Sequence, residues 1–105
     1  MEYILFGNVY KVYAYVGEYV TTKNVAIELI TEDGEPFATL TVNIEPLEEG
    51  FACIDVNNCS GALDLIKKYK LGKFTNDYCY SGYCKYPIFK LNMDNINKYL
   101  WKEVR

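Results

Sequence analysis

The sequence predicts an α+β domain: an antiparallel sheet of about five strands with two helices packed on one face. Three observations carry this. Apolar and aromatic residues alternate with period two through the first half, and an Asp-Gly turn joins two of the alternating runs. After Ser60 the apolar spacing switches to the helical period. The chain has 105 residues, half apolar and 24% charged, which suits one domain spanning 1–105 with its own core.

Tyr3–Phe6 reads as a short first strand, turned at Gly7-Asn8 onto Val9–Val16, where Val12, Ala14 and Val16 alternate with Tyr13 and Tyr15. Val25–Thr31 and Phe37–Ile44 flank Glu32-Asp33-Gly34-Glu35-Pro36. That is a hairpin signal, because glycine accepts the positive φ of the turn. An acidic loop, Glu45–Gly50, leads to a strand at Phe51–Val56. Ser60 is the expected N-cap of a helix carrying Ala62, Leu63, Leu65, Ile66 and Tyr69, with Lys67, Lys68 and Lys70 near its end and Gly72 closing it. Lys73–Tyr86 is the least regular stretch. Tyr86–Leu91 reads as a last strand, and Asn92 or Asp94 caps a terminal helix through Trp101.

The residue inventory excludes whole classes of chemistry. Histidine is absent and the only arginine is the last residue, so a triad, a two-histidine metal site and an arginine finger have no candidates. The glycines are isolated and form no phosphate loop. The cysteines stand at 53, 59, 79 and 84, spaced C-x5-C and C-x4-C with nineteen residues between the pairs. Neither pair has the tight two-residue knuckle of a structural zinc site. The residues at Met1–Gly7 carry no basic lead, and no stretch approaches the roughly 18 apolar residues that cross a bilayer. The expected compartment is the cytoplasm, with all four thiols reduced. Cys53 is expected in the core, Cys79 and Cys84 exposed and reactive.

Charge is uneven along the chain. Residues 1–50 carry nine acids and two lysines, a balance of −7, and residues 51–105 carry five acids and nine bases, a balance of +4. Eleven tyrosines, flat apolar rings with a polar tip, suit both sheet faces and binding surfaces.

Three blocks carry a family likeness: Gly34–Asn43, Asp55-Val56-Asn57-Asn58-Cys59, and Ser81-Gly82-Tyr83-Cys84-Lys85-Tyr86-Pro87. In order and spacing the chain resembles, over roughly residues 5–91, the domain-of-unknown-function family 4313. Ser60-Gly61 stands where the family pattern continues with Pro-Trp. The resemblance implies a setting in Gram-positive bacteria, their phages and conjugative elements, and no catalytic residue to transfer.

Together these readings point to a non-catalytic accessory protein, without cofactor or metal, that binds and inhibits a host protein. An anti-defence inhibitor acting on a defence nuclease, of the anti-CRISPR kind, is the sharpest form of that expectation. The expected contact residues are Glu32, Asp33, Glu35, Glu45, Glu48 and Glu49 on an acidic edge, and Tyr78, Tyr80 and Tyr83 in the Tyr/Cys-rich segment. The alternatives are a nucleic-acid binder using Lys67, Lys68, Lys70 and Lys73 beside Phe74, Tyr78 and Tyr80, and a binder of a small signalling molecule near Cys79 and Cys84. An acidic balance and a lack of internal arginine weigh against nucleic acid. A monomer or a homodimer fits the sequence.

Overall fold

The computed structural model describes residues 1–102. β1 (Glu2–Leu5), β2 (Asn8–Glu18), β3 (Val25–Thr31) and β4 (Pro36–Thr39) form one antiparallel sheet in that order. β5 (Thr41–Val42), β6 (Phe51–Ile54), β7 (Gly72–Ser81) and β8 (Cys84–Leu91) form a second, in the order β5-β6-β8-β7. Helix α1 (Ala62–Tyr69) joins β6 to β7, and α2 (Met93–Asn97) follows β8. The class is α+β, as the sequence indicates, but the strands divide between two sheets.

The division falls at Leu40. Its N–H donates to Ile27 O at 2.9 Å, continuing the β3 pairing, while its carbonyl accepts from Asp55 N at 2.9 Å beside β6. One extended run, read from sequence as a single strand to Ile44, therefore leaves the first sheet and enters the second. The turn before it is the expected one: Gly34 takes a φ of +87°. The indole of Trp101 packs so closely there that a β-carbon on residue 34 would lie 2.8 Å from Cζ2.

Both sheets and both helices share one core. Val12, Ala14, Ile27 and Leu29 come from the first sheet, Ala52, Ile54, Phe89 and Leu91 from the second. Ala62, Leu65 and Ile66 are the buried face of α1, and Ile96 that of α2. A smaller cluster of Cys53, Cys79 and Tyr86 lies apart, packed by Val42, Ile44, Leu47 and Ile88. Among the described residues no helix is long and apolar enough to cross a membrane.

The structure corrects several local expectations. Lys73–Tyr86 is not irregular but the β7–β8 hairpin. Ser60 does not cap α1; the cap position is Gly61, whose N–H donates to the Tyr3 hydroxyl at 2.8 Å across 58 residues of sequence. The helix ends at Lys70 in the left-handed conformation, φ 53°, rather than at Gly72. Asn92 does cap α2, its Oδ1 accepting from Asn95 N at 3.1 Å. That helix stops at Asn97 because Tyr99–Trp101 pairs with β2: Ala14 N–H donates to Tyr99 O, and Trp101 N–H to Ala14 O, both at 2.8 Å. Finally, Cys53 and Cys79 are joined as a disulfide, not reduced, and Cys79 is fully buried instead of exposed. Alternation along β7 turns Cys79 into the small cluster, opposite Tyr78 and Tyr80. Cys84 is exposed, as expected.

Gly72 begins β7 because nothing larger fits. A β-carbon there would lie 2.8 Å from Lys90 O and 3.4 Å from Leu91 Cα, both backbone atoms that cannot swing away. Gly72→Ala is expected to cost about 1–3 kcal/mol. A denaturant midpoint equal to that of the parent chain would refute it.

The Tyr3–Cys59 pair gives a pH prediction. Tyr3 Oη lies 3.3 Å from Cys59 Sγ, and both side chains are buried. Burial, first among the causes for each, pushes the thiol above its ordinary 9.0 and the phenol above its ordinary 10.0. On raising pH the unfolded chain loses these protons first, so stability is complete below about pH 9 and falls as pH climbs through the raised values. Melting temperatures between about pH 8 and 11 should decline, and less steeply in Cys59→Ala; a flat profile would count against the assignment.

Candidate lysine-rimmed groove

α1 presents two faces. Its buried side chains hold the core, while Lys67 and, just past its end, Lys70 project to solvent. The neighbouring wall comes from β7 and β8. Their register pairs Phe74 with Phe89 and Tyr78 with Pro87, so four steps along β7 match two along β8. Two extra residues preserve parity, and Phe74 and Tyr78 therefore face the same way. The bulge is fixed by Asn76 at φ 70° and by Thr75 Oγ1, which donates to Ile88 O at 2.8 Å and accepts from Asp77 N at 3.2 Å.

The result is a groove of about 570 Å³ between α1 and the hairpin. Val56, Leu63, Ile66 and Pro87 supply aliphatic floor, and Phe74, Tyr78 and Phe89 supply rings. Phe74 stands edge-on to Tyr78, centroids 5.4 Å apart at 69°, and tilted to Phe89 at 5.7 Å and 35°. Lys67, Lys73 and Lys85 form the rim. The Lys85 ammonium sits 4.5 Å from the Tyr78 ring centroid, a cation–π contact. Beyond Gly72 and Lys73 an adjoining groove of about 810 Å³ adds Lys70 and Lys90, with Asp94 as its acidic residue.

Among the described residues the ion pairs are Lys11–Glu32 at 3.9 Å and Lys68–Glu2 at 2.9 Å. None of the five groove lysines is in either. Lys68 therefore leaves the basic run read from sequence: its ammonium donates to Glu2 and holds that carboxyl below the ordinary range. The structure joins Lys67, Lys70, Lys73, Phe74 and Tyr78 in one place. Lys85 and Lys90 come from a strand remote in sequence; the period-two series Lys85, Pro87, Phe89 signals the first, and no local pattern signals Lys90, which alternates to the other face.

The acidic residues do not make one edge. Glu32, Asp33 and Glu35 sit in the β3–β4 turn. Glu45, Glu48 and Glu49 sit in the β5–β6 loop, which is tied to the opposite end of β3 by Asn24: its Nδ2 donates to Glu45 O at 2.7 Å and its Oδ1 accepts from Leu47 N at 2.9 Å. Seven residues of strand, about 23 Å, separate the two groups. Tyr80 and Tyr83 lie near the tip of the β7–β8 hairpin, exposed and outside the groove lining. The four cysteines do not converge, and among the described residues no cluster of three or more cysteines or carboxylates is placed to hold a metal.

Over residues 14–105 the chain matches the family model described as Domain of unknown function (DUF4313). The chain belongs to this family. No curated protein and no solved structure matches it. In this DUF4313 chain the three blocks read from sequence have distinct structural places. The first contains the Gly34 turn and the Leu40 crossing. In the second, Asp55 Oδ1 accepts from Asn58 N at 3.1 Å and Oδ2 from Asn58 Nδ2 at 3.1 Å, a local turn-holding role. The third is the β7–β8 tip. The second and third blocks meet at the groove, where Val56, Lys85 and Pro87 line it together.

Proposed function

We propose that this DUF4313 chain is a non-catalytic binding protein that engages a host protein through the lysine-rimmed groove. One observation carries the reading: three lysines outside any described ion pair, Lys67, Lys73 and Lys85, line a groove with an apolar and aromatic floor. Like charges lining one groove repel one another, and a surface needed only for solubility intersperses both signs. An apolar trough with a polar rim is the usual form of an interaction site. The inventory without histidine supports binding over catalysis. Inhibition of a host defence nuclease by a phage or mobile-element accessory remains the specific role proposed. In the cytoplasm, the compartment proposed for it, thiol buffers would act on the Cys53–Cys79 pair, so binding should be measured in both redox states.

A photo-crosslinking residue at position 74 should trap a host protein in cells. Lys67→Glu, Lys73→Glu and Lys85→Glu together should lower that yield about tenfold or more, since they turn attraction into repulsion. Crosslinks obtained from position 15 on the first sheet but not from position 74 would overturn the groove as the contact surface. Plating of phage on defended hosts, with and without the protein, tests the inhibitory role.

A further inference from the structure

We infer that the occupant of the groove is a short acidic segment of a partner protein, with apolar side chains between its carboxylates. This rests on the groove being the contact surface. Three features select that chemistry.

The floor is the first. Val56, Leu63, Ile66 and Pro87 are aliphatic, and the rings offer no parallel platforms: Phe74 meets Tyr78 edge-on and lies tilted at 35° to Phe89. The Lys85 ammonium already lies over Tyr78. A nucleobase needs a free ring face on which to stack, whereas leucine or phenylalanine side chains fill a corrugated trough. The second is the rim: three compact ammonium groups, Lys67, Lys73 and Lys85, with no carboxylate among the lining residues. Carboxylates spaced along a peptide answer that pattern. The third is extent. α1, one wall of the groove, is eight residues or about 12 Å long, matching three to four extended residues of a bound peptide.

The test uses the full chain and three fluorescent probes: a peptide alternating Glu with Leu and Phe, the same peptide with Ser in place of Leu and Phe, and oligo-dT. Binding is followed by anisotropy, and the site by amide chemical shifts. The first peptide should bind, weaken with salt, and shift resonances of Phe74, Tyr78 and Lys85. The Ser peptide should bind about tenfold more weakly or worse. Lys67→Glu/Lys73→Glu/Lys85→Glu should abolish binding; should that variant not fold, Phe74→Ala, at a position 40% exposed, should weaken binding about tenfold. Equal binding of both peptides would overturn the inference. So would oligo-dT shifting the groove resonances while the peptides stay silent, a result that leaves the groove standing as a contact surface. Silence of every probe, with host crosslinks from position 74 retained, also overturns the peptide chemistry alone. Silence together with loss of those crosslinks overturns both.

Discussion

Replacing Cys53 and Cys79 with alanine is expected to remove about 3.5 kcal/mol of stability, lowering the melting temperature by about 15–25 °C. The sulfurs join positions 26 residues apart, and closing a loop of that length restricts the unfolded chain by about this amount. The fold depends on it locally. β6 and β7 are separated in the sheet by β8, yet the two Cα atoms lie 6.5 Å apart, inside the range a disulfide spans. In a flat sheet, strands two places apart would stand about 9.6 Å apart. The sheet therefore curls around a cluster with only three buried members, Cys53, Cys79 and Tyr86. So small a core buries little apolar surface, and the cross-link supplies much of what holds the outer half of β7. Denaturant unfolding with and without reductant measures the effect. Thiol titration of the denatured, unreduced chain should find two thiols, Cys59 and Cys84. Four thiols, or a midpoint indifferent to reductant, would refute the pairing.

How legible this fold was depends on how local each signal is. The Asp-Gly turn, the alternation through Val16, the apolar stripe of α1 and the Asn92 cap are written within a few residues, and all are present in the structure. The crossing at Leu40 is not: alternation continues unbroken through it, and only the partners of its N–H and C=O reveal the change of sheet. β7 was hidden by its bulge, since two extra residues around Asn76 break the period while preserving the faces. Helical spacing extends the terminal helix too far because Tyr99–Trp101 has a use that such spacing cannot show, pairing with β2 at Ala14. The groove has the same character. Lys67, Lys70, Lys73, Phe74 and Tyr78 were visible as a basic and aromatic run. Lys85 and Lys90 join them only because β8 folds back beside β7. Lys68, three residues beyond Leu65 on the helix, turns to Glu2 on β1.

Phe89→Ala is expected to cost about 3–5 kcal/mol and to open the groove floor in the same step. Phe89 is 8% exposed, pairs across the second sheet with Ala52 and Phe74, and belongs to the core that both sheets share. It is also the inner ring of the groove, behind Phe74. Removing it takes away buried apolar surface and leaves a cavity that the paired strands cannot close, because their register is fixed on both sides. With total stability of about 5–15 kcal/mol for such a domain, the variant stands near the limit of folding. Phe89→Leu separates the two roles: it retains most of the buried volume, so it should lose a smaller part of the stability, but it removes the ring that supports Phe74. Urea midpoints for both variants, with peptide binding measured on Phe89→Leu below its transition, distinguish them. If Phe89→Ala unfolds at the parent midpoint, the residue is not packed as described. If Phe89→Leu binds the Glu/Leu/Phe peptide as the parent does, the ring contributes to the core and not to the groove.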